Sequence, residues 1–355
     1  MHHEALFITG GAGFVGSNLA VAFRQKYPRM RVLVMDNLKR RGSELNLVRL
    51  REHGIEFYHG DIRCPEDFPT VEYDAMIECS AEPSVLAGFG GSPLYVINTN
   101  LAGTINCLEE ARKRKADVVF LSTSRVYPYD PINALQIEEQ ESRFVWKAGQ
   151  ALTGWSERGI AEEFPLAGPR SIYGASKLCS EYVLQEYISM YGLRGVINRC
   201  GVIAGPWQFG KVDQGVFTLW MLAHYFKRDG LKYIGFGGRG KQVRDLLHVD
   251  DVFRLIDREL GMMDRLNGRI FNAGGGLEVS LSLLETTELC REITGNRIPV
   301  GSDEVTRPAD LGIYLTDNTM VTRETGWRPE QSFEAILRDI YHWIGGLESQ
   351  IAGVL

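Results

Sequence analysis

Tyr173-Gly174-Ala175-Ser176-Lys177 places a phenol and an ammonium at i and i+4, on one face of a helix. An ammonium beside a phenol favours the phenolate, lowering the pKa from its ordinary ~10 so that the tyrosine can accept a proton near neutral pH. The same spacing also arises as a solvated pair on ordinary amphipathic helices. Ser122-Thr123-Ser124 adds hydroxyls at the predicted carboxyl end of a fifth strand, where doubly wound sheets place their ligands. Thr123 could hold a reacting oxygen beside the tyrosine, or cap a turn. Thr123, Tyr173 and Lys177 are the catalytic candidates.

A second constellation lies near the start of the chain. Thr9-Gly10-Gly11-Ala12-Gly13-Phe14-Val15-Gly16 follows one apolar run and opens a helical one, the context of a dinucleotide-binding turn. Gly10 permits the tight turn, Gly13 lets backbone approach a pyrophosphate at the helix N-terminus, and Gly16 allows close helix–strand packing. Asp36 ends the second strand, twenty residues beyond Gly16, where a carboxylate can accept hydrogen bonds from ribose hydroxyls. That acid disfavours a 2′-phosphate, so the expected cofactor is NAD rather than NADP. Lys39-Arg40-Arg41 could bind such a phosphate, but a solvated basic loop or an adenosine contact is the preferred reading. Asp61-Ile62 is placed to meet the adenine, with a turn-forming Asp61 as the alternative.

These groups need a scaffold. Apolar runs at residues 5–9, 32–36, 55–59, 75–79, 118–122 and 195–199 alternate with helical patterns at 16–27, 43–52, 94–114 and 175–191. This reads as an α/β fold: a doubly wound parallel sheet (Rossmann) followed by a smaller C-terminal α/β substrate domain. The expected division is 1–203 for the first domain, with 246–275 returning to it, and 204–355 for the second. Residues 234–240 look hairpin-like. Residues 133–170, the longest irregular stretch, read as a substrate lid. Among 355 residues 39 are glycine, a share above the usual ~7%, without a collagen period. The net charge of −6 and the absence of a basic stripe exclude a general nucleic-acid binder. No membrane-spanning run or signal-peptide core is seen, and the expected location is the cytoplasm. The six cysteines stand singly, so neither a disulfide frame nor a metal site is expected.

As a set these motifs resemble the extended short-chain dehydrogenase/reductase superfamily, in its nucleotide-sugar-modifying branch, along nearly the whole chain. To the glycine turn, Asp36 and the Tyr173–Lys177 pair are added Thr123-Ser124-Arg125-Val126-Tyr127-Pro128, Arg199 with Gly205-Pro206, and Arg244-Asp245-Leu246-Leu247-His248-Val249-Asp250-Asp251-Val252. Within that branch, Gly240-Lys241-Gln242-Val243-Arg244-Asp245, Arg199-Cys200-Gly201 and Gly159-Ile160-Ala161-Glu162-Glu163-Phe164 look most like the CDP-tyvelose (CDP-paratose) 2-epimerases. The resemblance implies cofactor contacts from Phe14, Val15, Asn37, Ser80, Ala81, Asn100, Ser122 and Cys200, beside the glycines, Asp36, Asp61, Ile62, Tyr173 and Lys177. It implies substrate contacts from Thr123, Val202, Gln214, Gly215, Val216, Tyr233, Gly235, Arg244 and Arg307, the arginines clamping a diphosphate. Blandly, Arg244 and Arg307 would be ion pairs with Asp245 and Asp310, and Tyr233 and Phe236 would be core. The family commonly forms homodimers through helices at 94–114 and 175–191.

The resemblance also sorts the chemistry. Relatives that dehydrate place Asp-Glu after the catalytic Thr, and those that epimerise and then reduce place a Cys nearby. Here Ser124-Arg125 follows Thr123. UDP-galactose-type 4-epimerases carry an Asn at the position of Val202. What remains is redox-neutral epimerisation, implied to act at C2: Tyr173 takes a hydroxyl proton, NAD⁺ takes hydride, the ketose turns over, and hydride returns to the other face. A UDP-hexose 4-epimerase and a non-catalytic NAD-binding scaffold are the alternatives. His248 reads as a packing residue, and Trp146, Trp155, Trp207 and Trp220 as core or lid.

Overall fold

The computed structural model describes residues 2–210 and 214–354. Seven strands build a parallel sheet: β1 (Ala5–Thr9), β2 (Arg31–Asp36), β3 (Glu56–His59), β4 (Ala75–Glu78), β5 (Asp117–Thr123), then, beyond two short hairpins, Gly195–Cys200 and Ile270–Ala273. The hairpins are β6 (Ile137–Glu139) with β7 (Phe144–Trp146), and β8 (Trp155–Ser156) with β9 (Gly159–Ile160). Gly195–Cys200 is therefore β10. The remaining strands are β11 (Val202–Ala204), β12 (Lys232–Ile234), β13 (Val243–His248), β14 (Ile270–Ala273), β15 (Ser280–Ser282), β16 (Gly301–Asp303) and β17 (Ile313–Tyr314). The large sheet runs β14-β10-β5-β4-β1-β2-β3. Its strands are largely apolar because both faces are covered: Leu6, Ile8 and Val34 point to one core and Phe7, Leu33 and Met35 to the other.

From β1 the chain builds outward through β2 and β3, then returns to β1's other edge as β4. This reversal opens a crevice at the carboxyl ends of β1 and β4, the place where such sheets hold ligands. Within residues 246–275, the helix Val249–Gly261 packs on the Phe14–Lys26 helix and β14 lies at the sheet edge. His248 is buried and caps that helix, its Nδ1 accepting from the Asp250 N–H. A second sheet, β11-β13-β15 with β17 on β13, packs with the helices Val216–Tyr225, Leu283–Thr294 and Phe333–Gly346 around Trp220, Leu246, Leu281, Ile336 and Ile340. Among the described residues no helix is long and apolar enough to cross a membrane.

Two readings change. Residues 234–240 are not a hairpin, since β12 pairs in parallel with the distant β16. Left-handed backbone at Phe236, Gly237, Gly238 and Gly240 coils the chain too tightly to return as a partner strand. Residues 133–170 form a strap rather than a lid. The Phe144 and Ile160 N–H groups donate to Lys241 O and Leu315 O, Arg143 pairs with Glu285, and Phe164 is buried against Tyr127.

A buried polar network ties the strap to the sheet. Arg199 on β10, 4% exposed, donates through Nε and Nη2 to Glu181, which is fully buried on the Ile172–Tyr191 helix. Ser122 Oγ donates to the same carboxylate. Arg199 Nη1 donates to Tyr127 Oη at 3.0 Å, Tyr127 to Asn272 Oδ1 at 2.8 Å, and Asn272 Nδ2 to Ile160 O. Breaking such a pair from one side leaves a buried charge uncompensated. Arg199→Met is therefore expected to lower unfolding free energy by about 3–5 kcal/mol in denaturant titration. Arg199→Met/Glu181→Leu should recover much of that loss, and a double variant no more stable than the single would show that the pair is not the cause.

Candidate functional site

The glycine turn lies in the crevice as its spacing requires. Gly10 has φ +65°, and a side chain there would meet Cys79 O and Ser80 N at about 3 Å. A side chain at Gly16 would collide with the Gly10 carbonyl. Gly13 caps the Phe14–Lys26 helix with no side chain, leaving first-turn N–H groups facing the crevice. At the end of β2, Asp36 Oδ2 accepts from Ala12 N at 3.1 Å and Oδ1 from Leu38 N at 2.8 Å. Burial pushes this carboxyl above its ordinary pKa, while those N–H groups pull it back.

A cavity of about 430 Å³ extends from this turn. Gly10, Gly13, Phe14, Val15, Gly16, Asp36 and Asn37 line one part of it, and Asp61, Ile62, Ser80 and Ala81 another. A bare backbone cradle at a helix N-terminus, with a carboxylate one strand away, fits the pyrophosphate and ribose of a dinucleotide. Asp61 lines the cavity and also closes a turn, the alternative read for it, by accepting from the Arg63 N–H. The Arg63 guanidinium holds its carboxyl well below the usual range, and Asn37 also donates to it. Asn100 lies behind the lining, where its Oδ1 accepts from Glu82 N and its Nδ2 donates to Ser176 Oγ. It positions the wall rather than forming it. Sequence reasoning missed Tyr95, which also lines the cavity, its ring under Lys39 Nζ at 3.1 Å.

A second cavity, about 550 Å³, shares Phe14, Val15, Cys79 and Ala81 with the first, so the two meet in one cleft. Ser122, Thr123, Tyr173, Lys177 and Cys200 line it around that seam. The Ile172–Tyr191 helix is brought there by its glycine: a side chain at Gly174 would clash with Arg125 O, so only glycine lets the helix approach the turn after β5. Ser171 caps the helix by accepting from Gly174 N. Tyr173, Lys177 and Glu181 lie at i, i+4 and i+8, one stripe of that helix. Glu181, anchored to Ser122 and Arg199, thereby fixes which way the stripe faces. The i+8 spacing was the available signal for Glu181.

The electrostatics differ from the sequence expectation. Burial raises the Tyr173 phenol above its ordinary value, although the neighbouring Thr123 side chain pulls it down. The cation acting on it is Arg125, which pulls down, while Glu78 pushes up. Lys177 Nζ lies 3.5 Å from Glu78 Oε2 and 3.9 Å from the Phe120 ring centroid. Burial, the largest cause, thus overrides the lowering expected from Lys177, whose ammonium faces a buried acid outside every motif.

Further along the cleft, Val202, Gln214, Gly215 and Val216 line the wall, and Arg244 and Arg307 stand together with Arg125. Arg244 donates to Asp310 at 2.7 Å and to the carbonyls of Val243 and Leu311. Burial lowers its pKa to about 10. Asp245 is not its partner, accepting instead from Gly276 and Thr316 N–H groups. Tyr233 and Gly235 are not brought to the cleft. Strand alternation along β12 sends Lys232 and Ile234 there and turns Tyr233 to Thr287, 2.7 Å away, beside Trp220. Trp220 lines the cleft and Trp207 the first cavity, while Trp146 and Trp155 pack edge to face.

Comparison with known proteins agrees with this geometry. A CDP-paratose 2-epimerase of Salmonella typhi is 29% identical over 96% of this chain and 99% of its own length. A dTDP-glucose 4,6-dehydratase of Streptomyces niveus is also 29% identical, over 95% of this chain and 92% of the relative. The solved UDP-glucose 4-epimerase of Thermotoga maritima superposes with a TM-score of 0.76 at 25% identity, covering 97% of this chain and 99% of that one. The Thermus thermophilus UDP-glucose 4-epimerase, solved with NAD, gives 0.72 at 25% identity over 96% and 99%. The family model described as NAD dependent epimerase/dehydratase matches residues 6–274, and this chain, with its NAD cradle and its Thr123–Tyr173–Lys177 cleft, belongs to that family.

Proposed function

We propose that this protein epimerises a nucleotide sugar at C2, and that the sugar is CDP-linked, of the paratose and tyvelose type. The observation that carries the reading is the composition of the cleft: Thr123, Tyr173 and Lys177 gather where the cofactor and substrate cavities meet, while Ser124-Arg125 follows Thr123. Elimination of water from a sugar needs an acid and a base beyond the tyrosine, and Ser124-Arg125 supplies no carboxylate. The whole-length similarity to a CDP-paratose 2-epimerase supports the choice of nucleotide and carbon.

Bound NAD supplies the acceptor and donor of the two electrons that leave and return to the sugar carbon. Deprotonated Tyr173 takes the proton of the ring hydroxyl as that carbon is oxidised, and gives it back as the opposite epimer forms. Thr123 holds the reacting oxygen beside the phenol. Arg244 and Arg307 grip the diphosphate at the other end, so the sugar can turn while its nucleotide stays fixed. A cavity of about 550 Å³ has room for that rotation.

Incubation with CDP-, UDP- and GDP-sugars, followed by NMR, tests the assignment. A C2 epimer from a CDP-sugar is expected, without net consumption of NADH. Product from a UDP-hexose inverted only at C4, or a 4-keto-6-deoxy product, would overturn it. Tyr173→Phe should lower turnover by about 10²–10⁴-fold while NAD binding persists; unchanged turnover would sink the role given to the tyrosine. Because burial raises the phenol pKa, the free protein holds it protonated at neutral pH, and the base form grows tenfold per pH unit below that pKa. The kcat/KM of the wild type should therefore rise with pH across the neutral range. A flat profile would mean that another group accepts the proton.

A further inference from the structure

One acid in the floor of the cleft has no part in the scheme above. Glu78 ends β4 between β1 and β5, in register with Thr9 and Phe120, and is fully buried. Among the described residues neither of its carboxylate oxygens has a hydrogen-bond partner. An isolated ionised carboxylate in such a place is costly unless a cation stands against it. Lys177, only 2% exposed, comes to 3.5 Å from it. The groups that face Glu78 can be named element by element. Cys79 and the Ser80 N–H follow it on its own strand, Thr9 lies on β1, and Cys107 on the Gly103–Arg114 helix. Lys177 and Tyr173 come from the Ile172–Tyr191 helix. Lys177 is the one cation of this set. Cys79, the next residue, lines both cavities at their seam, and Glu78 is buried behind that lining.

We propose that Glu78 is a positioning residue: its carboxylate holds the Lys177 ammonium on the floor of the cleft and sets the local charge under which Tyr173 gives up its proton and the oxidised, cationic nicotinamide ring is bound. The tyrosine part rests on the reading of Tyr173 as the proton acceptor; the cofactor part does not. A carboxylate opposes a phenolate nearby and favours a cationic ring over a neutral one. With Glu78 in place, Lys177 and the cationic ring share a counter-charge instead of repelling each other. Removal of that charge therefore makes the tyrosine easier to deprotonate and NAD⁺ harder to hold relative to NADH.

Glu78→Gln preserves shape and deletes the charge. In competition between NAD⁺ and NADH for the protein, the ratio of their dissociation constants should move about tenfold toward NADH, equivalent to about one pH unit of charge interaction. The pH midpoint of kcat/KM should fall by about one unit. Glu78→Asp, which retains the charge, should return both toward the wild type. An unchanged ratio and an unchanged midpoint, even with lowered activity, would reduce Glu78 to a structural residue. If the wild type epimerises no nucleotide sugar, the functional reading fails while the cofactor ratio still decides the role of Glu78. Should Glu78→Gln fail to fold, Lys177→Met is compared with Glu78→Gln/Lys177→Met in thermal denaturation. The double variant, rid of a lone buried carboxylate, should melt several degrees higher. Equal melting temperatures would overturn the pairing.

Discussion

The stripe Tyr173–Lys177–Glu181 depends on the buried pair between Glu181 and Arg199. A helix can rotate about its axis at little cost where only apolar side chains hold it, and such a rotation would carry Tyr173 away from Thr123. A charge pair sealed from water removes that freedom, since any rotation strands a carboxylate or a guanidinium in a low-dielectric interior. Because Ser122 donates to the same carboxylate, the residue before Thr123 and the helix bearing the phenol are registered by one acid. Tyr127 and Asn272 extend that registration to β14 and to the strap over residues 133–170.

Charge is placed with similar economy at the two ends of the cleft. A chain with a net charge of −6 has to hold anionic ligands. The cleft presents the N-terminus of the Phe14–Lys26 helix at one end and Arg125, Arg244 and Arg307 at the other. Arg244 is itself partly countered by Asp310, which keeps a buried guanidinium in place. Between these ends lies the Lys177–Glu78 pair.

Glycine links sequence to site most directly. The excess of glycine in the composition is spent where backbone must approach backbone: at Gly16 against the Gly10 carbonyl, and at Gly174 against Arg125 O. The first was legible as part of a dinucleotide turn. The second was legible only as the spacer of a Tyr–Lys motif, because its reason lies across the fold.

Local pattern was enough to predict the parallel strands and to single out the glycine turn, Asp36, Thr123, Tyr173 and Lys177, which the fold gathers along one cleft, since each rests on an apolar run, a helical period or a fixed spacing within a short stretch. It also carried the family resemblance that the comparisons bear out. Tertiary structure alone decided what depends on residues distant in the chain. Glu78, buried and apart from every motif, faces Lys177, and burial keeps the tyrosine above its ordinary pKa. Strand β12 pairs with β16 and so turns Tyr233 out of the cleft, and a region without clear periodicity packs as a strap through bonds to Lys241 and Leu315. The physical reason is the same in each case: spacing along a chain fixes which side chains share a face, whereas the charge and the partner opposite that face come from another segment.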